Sequence, residues 1–209
     1  MLRQMRVVGL TGSIGMGKST AAQALRSLGI PIHDADAEVH RLLREDRETI
    51  AEVAAAFPGV ARDGAIDRTE LGRRVFGDAA GLRRLEAILH PRVRAAEVRF
   101  LRRARGAGAP LVVLDVPLLL ETGGEARCDA VVVVSAPAFV QAARVLHRRG
   151  MTRERLAAIL ARQLPDAAKR RRADFVIPTG LDRRTSLRAL AGASRVLRNR
   201  PPIRRMRHA

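Results

Sequence analysis

The residues Gly12-Ser13-Ile14-Gly15-Met16-Gly17-Lys18-Ser19 follow the spacing G-x-x-x-x-G-K-[ST], a loop that cradles phosphates where a strand precedes it and a helix follows. Each residue type has a physical task there. Glycines let backbone N–H groups turn toward phosphate oxygens with no Cβ in the way. The amino terminus of the next helix adds positive potential, Lys18 reaches the β and γ phosphates, and Ser19 offers its hydroxyl to Mg²⁺. Lys18 and Lys169 are the only lysines; nearly every other cation is Arg. A lysine kept at position 18 suits a place where a compact ammonium fits and a planar fork does not. The competing reading is a glycine-rich turn into a helix with Lys18 solvated.

Other charged residues stand where they could act on such a phosphate. Asp34 and Asp36 come at the end of a short strand-like segment, Pro31-Ile32-His33. In open α/β sheets ligands bind outside the carboxyl ends of the strands, and alternate residues point the same way if the strand continues. A carboxylate there can accept a hydroxyl proton or hold a metal-bound water. It can equally cap a helix, since Asp36 stands just before a helical pattern beginning at Ala37. Asp115 ends another strand-like run, where P-loop proteins often place an acid near Mg²⁺; it could also simply satisfy loop amides. Arg144 and Arg148 stand four apart on one face of a predicted helix. A guanidinium over a γ-phosphate would stabilise charge that builds during transfer, although the default for such an arginine is solvated surface. His33, His40, His90 and His147 carry no comparable signal.

The elements that must position these residues can be read from the apolar pattern. Residues 6–11 read as a short buried strand and residues 18–28 as a helix that Gly29 closes. Leu111-Val112-Val113-Leu114 and Ala130-Val131-Val132-Val133-Val134 are continuous apolar runs, as in strands buried on both faces of a parallel sheet. Phe175-Val176-Ile177 is a fifth candidate. Helical patterns separate these runs, so the expected class is α/β with a mostly parallel five-stranded sheet, a three-layer P-loop arrangement. The stretch between Asp34 and Leu111 far exceeds the ~12 residues of a simple crossover. Helices are expected over 37–44, 47–57, 68–76 and 82–105, the last bent at Pro91, forming a substrate-holding insertion. After the fourth strand, a helix from Ser135 to Arg149 and another over 153–164 make a basic hairpin suited to a lid.

Composition bounds the rest. The 209 residues suffice for one core with a small appended subdomain, and 47% hydrophobic content suits a globular chain. No run approaches the ~18 apolar residues of a membrane span. The opening Met1-Leu2-Arg3-Gln4-Met5-Arg6 lacks the features of a signal peptide. Cys128 stands alone, and no Cys/His cluster has metal-ligand spacing. A cytoplasmic setting is expected. Thirty-nine basic and 21 acidic residues give a net charge of +18, which raises nucleic-acid binding as a second class of function. Against it, there is no Trp or Tyr and only five Phe to stack on bases, and the charge is spread along the chain. An arginine-rich surface whose field attracts anionic substrates is the preferred reading.

Taken in order, these motifs resemble the dephospho-CoA kinase family over residues 6–180. The run from Val8 to Thr20 looks like that family's P-loop, Asp34-Ala35-Asp36 its aspartate motif, and Leu89-His90-Pro91 and Asp115-Val116-Pro117-Leu118-Leu119-Leu120-Glu121 two further motifs. Asp67-Arg68, Leu71 and Val75-Phe76 resemble its substrate-binding helices, Gln141, Arg144 and Arg148 its lid, and Ala173-Asp174-Phe175-Val176-Ile177 its closing strand. Where the family usually has an Asn near the adenine, this chain reads Pro178-Thr179-Gly180. The resemblance implies transfer of the ATP γ-phosphoryl to the ribose 3′-hydroxyl of dephospho-CoA. Asp36 would be the base, acting with Lys18 and Arg144. Gly12, Gly15, Met16, Gly17, Lys18, Ser19 and Thr20 would hold ATP with Arg144 and Arg148, and Ser19, Asp36 and Asp115 would hold Mg²⁺. The implied organisation is a nucleotide-binding core of residues 1–36, 111–136 and 174–198, a helical substrate subdomain of 37–110, a lid of 137–173 and a basic tail of 199–209. Another P-loop nucleoside or nucleotide kinase is the nearest alternative.

Overall fold

The computed structural model describes residues 5–75 and 77–199. Expectations placed on residues 1–4, on Phe76 and on the tail from residue 200 lie outside the described residues. The chain forms two compact units. One takes in the described residues up to His33 and from Ala104 onward, the other Asp34–Arg103.

The main sheet has five strands, β1 (Arg6–Thr11), β2 (Ile32–Asp34), β5 (Leu111–Asp115), β6 (Ala130–Ser135) and β7 (Phe175–Pro178), in the order β2-β5-β1-β6-β7. The β1–β5, β1–β6 and β6–β7 pairings are parallel, and Val8 lies opposite both Val113 and Ala130. Every residue of β5 and β6 is buried, which is why both runs are continuously apolar instead of alternating. Helices α1 (Lys18–Ser27) and α9 (Arg183–Asn199) bury Ala21, Ala22, Leu25, Leu190, Ala193 and Leu197 in one core with Val8, Leu10, Val113, Val132 and Ile177. Helices α6 (Ala138–Leu146), α7 (Arg153–Ala161) and α8 (Asp166–Arg171) lie between β6 and β7 in sequence, and α8 packs against β6. β1 is flanked by β5 and β6, so the loop that follows it leaves the sheet where the strand order reverses. That is the place where open α/β sheets bind ligands.

The second unit holds α2 (Ala35–Glu45), α3 (Arg47–Ala56), β3 (Ala61–Arg62), β4 (Ala65–Ile66), α4 (Arg68–Val75) and, as far as Arg103, α5 (Ala79–Gly106), which contains Pro91. It has its own core, with Leu43, Val53, Phe57, Val60, Leu71 and Leu89. Among the described residues no helix is long and apolar enough to cross a membrane.

The elements differ from the sequence reading in several places. α2 begins at Ala35, two residues early, because the Asp34 carboxylate accepts the Ala37 N–H at 3.0 Å and serves as the cap. α6 ends at Leu146 instead of running to Arg149, since the Arg148 N–H reaches back three residues to Val145 O and tightens the last turn. The helix read over 153–164 ends at Ala161 as α7, and a separate short helix, α8, follows with Pro165 at its cap. Two elements were not foreseen. The β3–β4 hairpin turns at Asp63-Gly64, both with positive φ, and that dipeptide is its sequence signal. α9 carries the helix into the expected tail as far as Asn199. Asp182 bonding Thr185 N and Oγ1 at its start, and leucines at helical spacing, are the signals for it.

Candidate active site

The loop after β1 is shaped by bonds to its carbonyls. A trans peptide holds the C=O of one residue and the N–H of the next on opposite sides of one plane. Gln141 Nε2 donates to Ile14 O at 2.8 Å, so the Gly15 N–H points away from Gln141. Thr179 Oγ1 donates to Met16 O at 2.6 Å, which turns the Gly17 N–H away from Thr179 in the same manner. Both glycines have positive φ, +76° and +85°, where any side chain would be strained. A Cβ on Gly15 would also lie 2.5 Å from Val145 Cγ2. Successive amides oriented this way form an anion-binding concavity that costs no reorganisation when a phosphate arrives. Gly17 is the left-handed cap of α1, so the first-turn amides of that helix add their positive end to the same place.

Lys18 and Asp115 meet at the carboxyl ends of the central strands. Lys18 Nζ donates to Asp115 Oδ1 at 2.6 Å; the lysine side chain is 16% exposed and the aspartate 2%. An ammonium held by one carboxylate and still open to solvent can be shared with an incoming anion. Ser19 and Thr20, in the first turn of α1, are exposed. Met16 differs from its neighbours: its side chain is buried, its Sδ accepts the Ala136 N–H, and its own N–H is spent on Ser13 O.

Of the two arginines read as a pair on one helix face, only Arg144 lies within α6. Arg148 is past the end of that helix, so the shared face does not exist. Arg144 reaches the loop, with Nη2 donating to Thr179 O at 2.6 Å and Nη1 lying 3.5 Å from Gly15 O. Arg148 is exposed. The Asp34/Asp36 question also resolves. Asp34 is the cap, whereas Asp36 sits exposed inside the first turn of α2. Asp36 belongs to the second unit, and its carboxylate has no cap to serve.

Sequence reasoning missed what three residues do here. Thr179, buried, fixes Met16 O with its hydroxyl and Arg144 with its carbonyl. Its position, two residues past a predicted strand, was the local sign of it. Gln163 Oε1 accepts the Ile14 N–H at 3.1 Å. Lys169, fully buried, has its Nζ 2.7 Å from Glu121 Oε1; its rarity as a lysine was the available signal. A cavity of about 460 Å³ opens beside the loop, with Met16, Pro137, Gln141, Val176, Pro178 and Leu181 among its walls.

Comparison with known proteins agrees with this geometry. Residues 6–182 match the family model described as dephospho-CoA kinase. A dephospho-CoA kinase of Paramagnetospirillum magneticum is 68% identical over 166 residues, 79% of this chain and 78% of that protein. A second, from Rhodopseudomonas palustris strain HaA2, is 52% identical over 201 residues, covering 94% of this chain and 100% of the relative. Among solved structures, TT1252 from Thermus thermophilus superimposes with a TM-score of 0.82 at 38% identity, over 92% of this chain and 97% of that one. The dephospho-CoA kinase from Campylobacter jejuni has the same fold, with a TM-score of 0.61 at 24% identity over 92% and 97% of the two chains. The family expected from the motifs is therefore the one found: this chain belongs to the dephospho-CoA kinase family.

Proposed function

We propose that this protein transfers the γ-phosphoryl group of ATP to the ribose 3′-hydroxyl of dephospho-CoA, giving CoA and ADP. The observation that carries the reading is the pre-shaped loop with Lys18 at its mouth, 2.6 Å from the Asp115 carboxylate. Phosphoryl transfer needs positioning and charge stabilisation far more than covalent chemistry from the protein. The loop amides and the first turn of α1, through Gly12, Gly15, Gly17, Lys18, Ser19 and Thr20, receive the phosphates. The apolar walls of the cavity beside the loop suit the adenine ring. Thr179 then braces the loop instead of reading the base, because its hydroxyl is committed to Met16 O. Arg144 supplies a second cation for the transferring group, and Arg148 a more distant one. Asp36, exposed and free of capping, accepts the proton of the attacking hydroxyl. The unit around residues 37–110 holds the acceptor, and residues 137–173 act as the lid.

Mg²⁺ fits the donor set: an exposed serine hydroxyl and aspartate carboxylates are hard oxygen ligands. Among the described residues no group of three or more His, Cys, Asp or Glu is gathered as a metal site. That suits an ion carried largely by substrate phosphates and water. Ser19, Asp115 and Asp36 are the residues that would hold it, and the ion would neutralise charge on the β and γ oxygens.

The test is a coupled ADP-release assay with dephospho-CoA set beside AMP, CMP and adenosine. The reading predicts a kcat/KM for dephospho-CoA far above the other three. Comparable turnover of AMP or CMP would replace it with a nucleotide kinase.

A further inference from the structure

The chain's second lysine, Lys169, plays no part in the chemistry above, yet it is the largest fully buried side chain of the described residues. Its Nζ lies 2.7 Å from Glu121 Oε1, in the segment that follows β5 and its last residue, Asp115. As a source of stability the pair is poor. Among the described residues the ammonium has no aligned hydrogen-bond acceptor, and Glu121 Oε2 is buried without a hydrogen-bond partner. Burying two charges costs so much desolvation that an apolar pair of similar volume usually serves stability as well or better. What an apolar pair cannot do is accept a hydrogen bond, and Glu121 Oε1 also accepts the Leu164 N–H at 2.9 Å.

That amide has a particular neighbour. The Leu164 N–H belongs to the peptide plane formed with the Gln163 carbonyl, so holding it fixes one of the two planes that meet at Gln163 Cα. The Gln163 side chain then accepts the Ile14 N–H at 3.1 Å, while Gln141 donates to Ile14 O from α6. Both peptides flanking Ile14 Cα are thus held by glutamines, and they are the peptides that lead into Gly15. The connection between α7 and α8 ends at Pro165, which has no N–H of its own to anchor it. The Leu164 amide is the donor available there, and Lys169 Nζ lies against the oxygen that accepts it.

We propose that Glu121 and Lys169 are positioning residues for ATP binding: a buried charge pair that, through the Leu164 amide, seats Gln163 against the tip of the phosphate loop. This rests on reading residues 12–20 as the ATP cradle. Removing one charge would strand the other, so the test uses paired changes. Glu121→Leu with Lys169→Met removes both charges and the acceptor. Glu121→Gln with Lys169→Met removes both charges but keeps an oxygen for the Leu164 N–H. ATP binding is measured by calorimetry, the KM for ATP and kcat by ADP release, and Tm alongside. The expected result is a Kd and KM for ATP raised about three- to tenfold in the Leu/Met pair, the scale of one hydrogen bond. Values near wild type are expected in the Gln/Met pair, with kcat little changed in both. Gln163→Leu should match the Leu/Met pair, and adding it to that pair should raise Kd no further, since both act through one contact. Gln163→Leu also keeps the question open to refutation if the Leu/Met pair does not fold. The proposal is overturned if the Leu/Met and Gln/Met pairs bind ATP equally, or if Gln163→Leu binds it like wild type. Wild-type protein that failed to bind ATP at all would instead refute the cradle, a different outcome.

Discussion

Two lysines in this chain each face a carboxylate, one at the end of β5 and one in the segment that follows it, and the two pairs could hardly be less alike. Lys18 is 16% exposed and makes an aligned 2.6 Å hydrogen bond to Asp115. Lys169 is fully buried, and its 2.7 Å contact with Glu121 is not aligned as a hydrogen bond. Coulomb attraction is available to both, but its consequence depends on the surroundings. At the loop, solvent access lets an anion compete for the ammonium, so the pair is a ready site that opens on binding. Inside, no ligand reaches the ammonium, and the pair can only set the position of what it touches. A compact ammonium fits both places better than a guanidinium fork.

The comparison breaks most visibly if the exposed, uncommitted charges prove inert. Asp36→Asn should carry the largest effect, a loss of about 10²- to 10⁴-fold in kcat with an unchanged Tm. Asp34→Ala should do the reverse, costing about 1 kcal/mol of stability through the lost cap. Thermal melts and ADP release on both variants check this, and a stability loss in Asp36→Asn with normal turnover would make Asp36 structural. Lys18 comes next. Lys18→Arg should lower kcat by on the order of 10²- to 10³-fold with little change in Tm. Lys18→Ala should also lower Tm, because the buried Asp115 loses its 2.6 Å contact with the ammonium.

Arg144 sharpens the distinction between a bound charge and a diffuse one. Its guanidinium is already fastened to Thr179 O, so it can meet a transferring phosphate without being ordered first. Arg144→Ala should lower both kcat and kcat/KM, by about tenfold or more. In wild type, kcat should survive moderate salt while KM for the anionic substrates climbs, since general steering is screened over about 10 Å at 0.1 M. A change in KM alone that added salt abolishes would return Arg144 to the general basic surface. The smallest effect concerns Asp182 at the start of α9. The Thr185 hydroxyl, and then the Thr185 amide, hold its carboxyl below the usual value. A depressed folded-state pKa adds stability that is present above the unfolded value and lost as pH falls through the folded one. Between pH 5 and pH 3, wild type should therefore lose more Tm than Asp182→Asn, which keeps a neutral cap.

The parts legible in the sequence were those where local pattern and local chemistry agree. The loop is one, because Gly12, Gly17 and Lys18 are the fixed positions of its spacing. The continuous runs of β5 and β6 are another, since burial on both faces leaves no polar position. Legibility failed where a partner distant in sequence decides the outcome. Nothing near Lys169 announces Glu121, and nothing near Gln163 announces Ile14. Asp34 and Asp36 are both sound caps by type, and only the placement of the first turn of α2 chose between them. Arg148 was misjudged because a single tightened turn after Leu146, invisible in helix periodicity, separates it from Arg144. Thr179 stood out only as part of a departure from the family's Asn near the adenine, while its hydroxyl is engaged by the loop.

The central claim is that the exposed lysine works on the phosphate and the cradle delivers it to an acceptor hydroxyl. Rapid-quench single turnover with γ-labelled ATP and dephospho-CoA tests it most directly, comparing wild type with Lys18→Arg at saturating ATP. The account predicts that wild type places the label on the ribose 3′-oxygen in one fast phase. It also predicts that Lys18→Arg, still folded and still binding ATP, transfers at least about 100-fold more slowly. Equal rates of transfer in the two proteins would contradict it, as would label released only as inorganic phosphate by wild type.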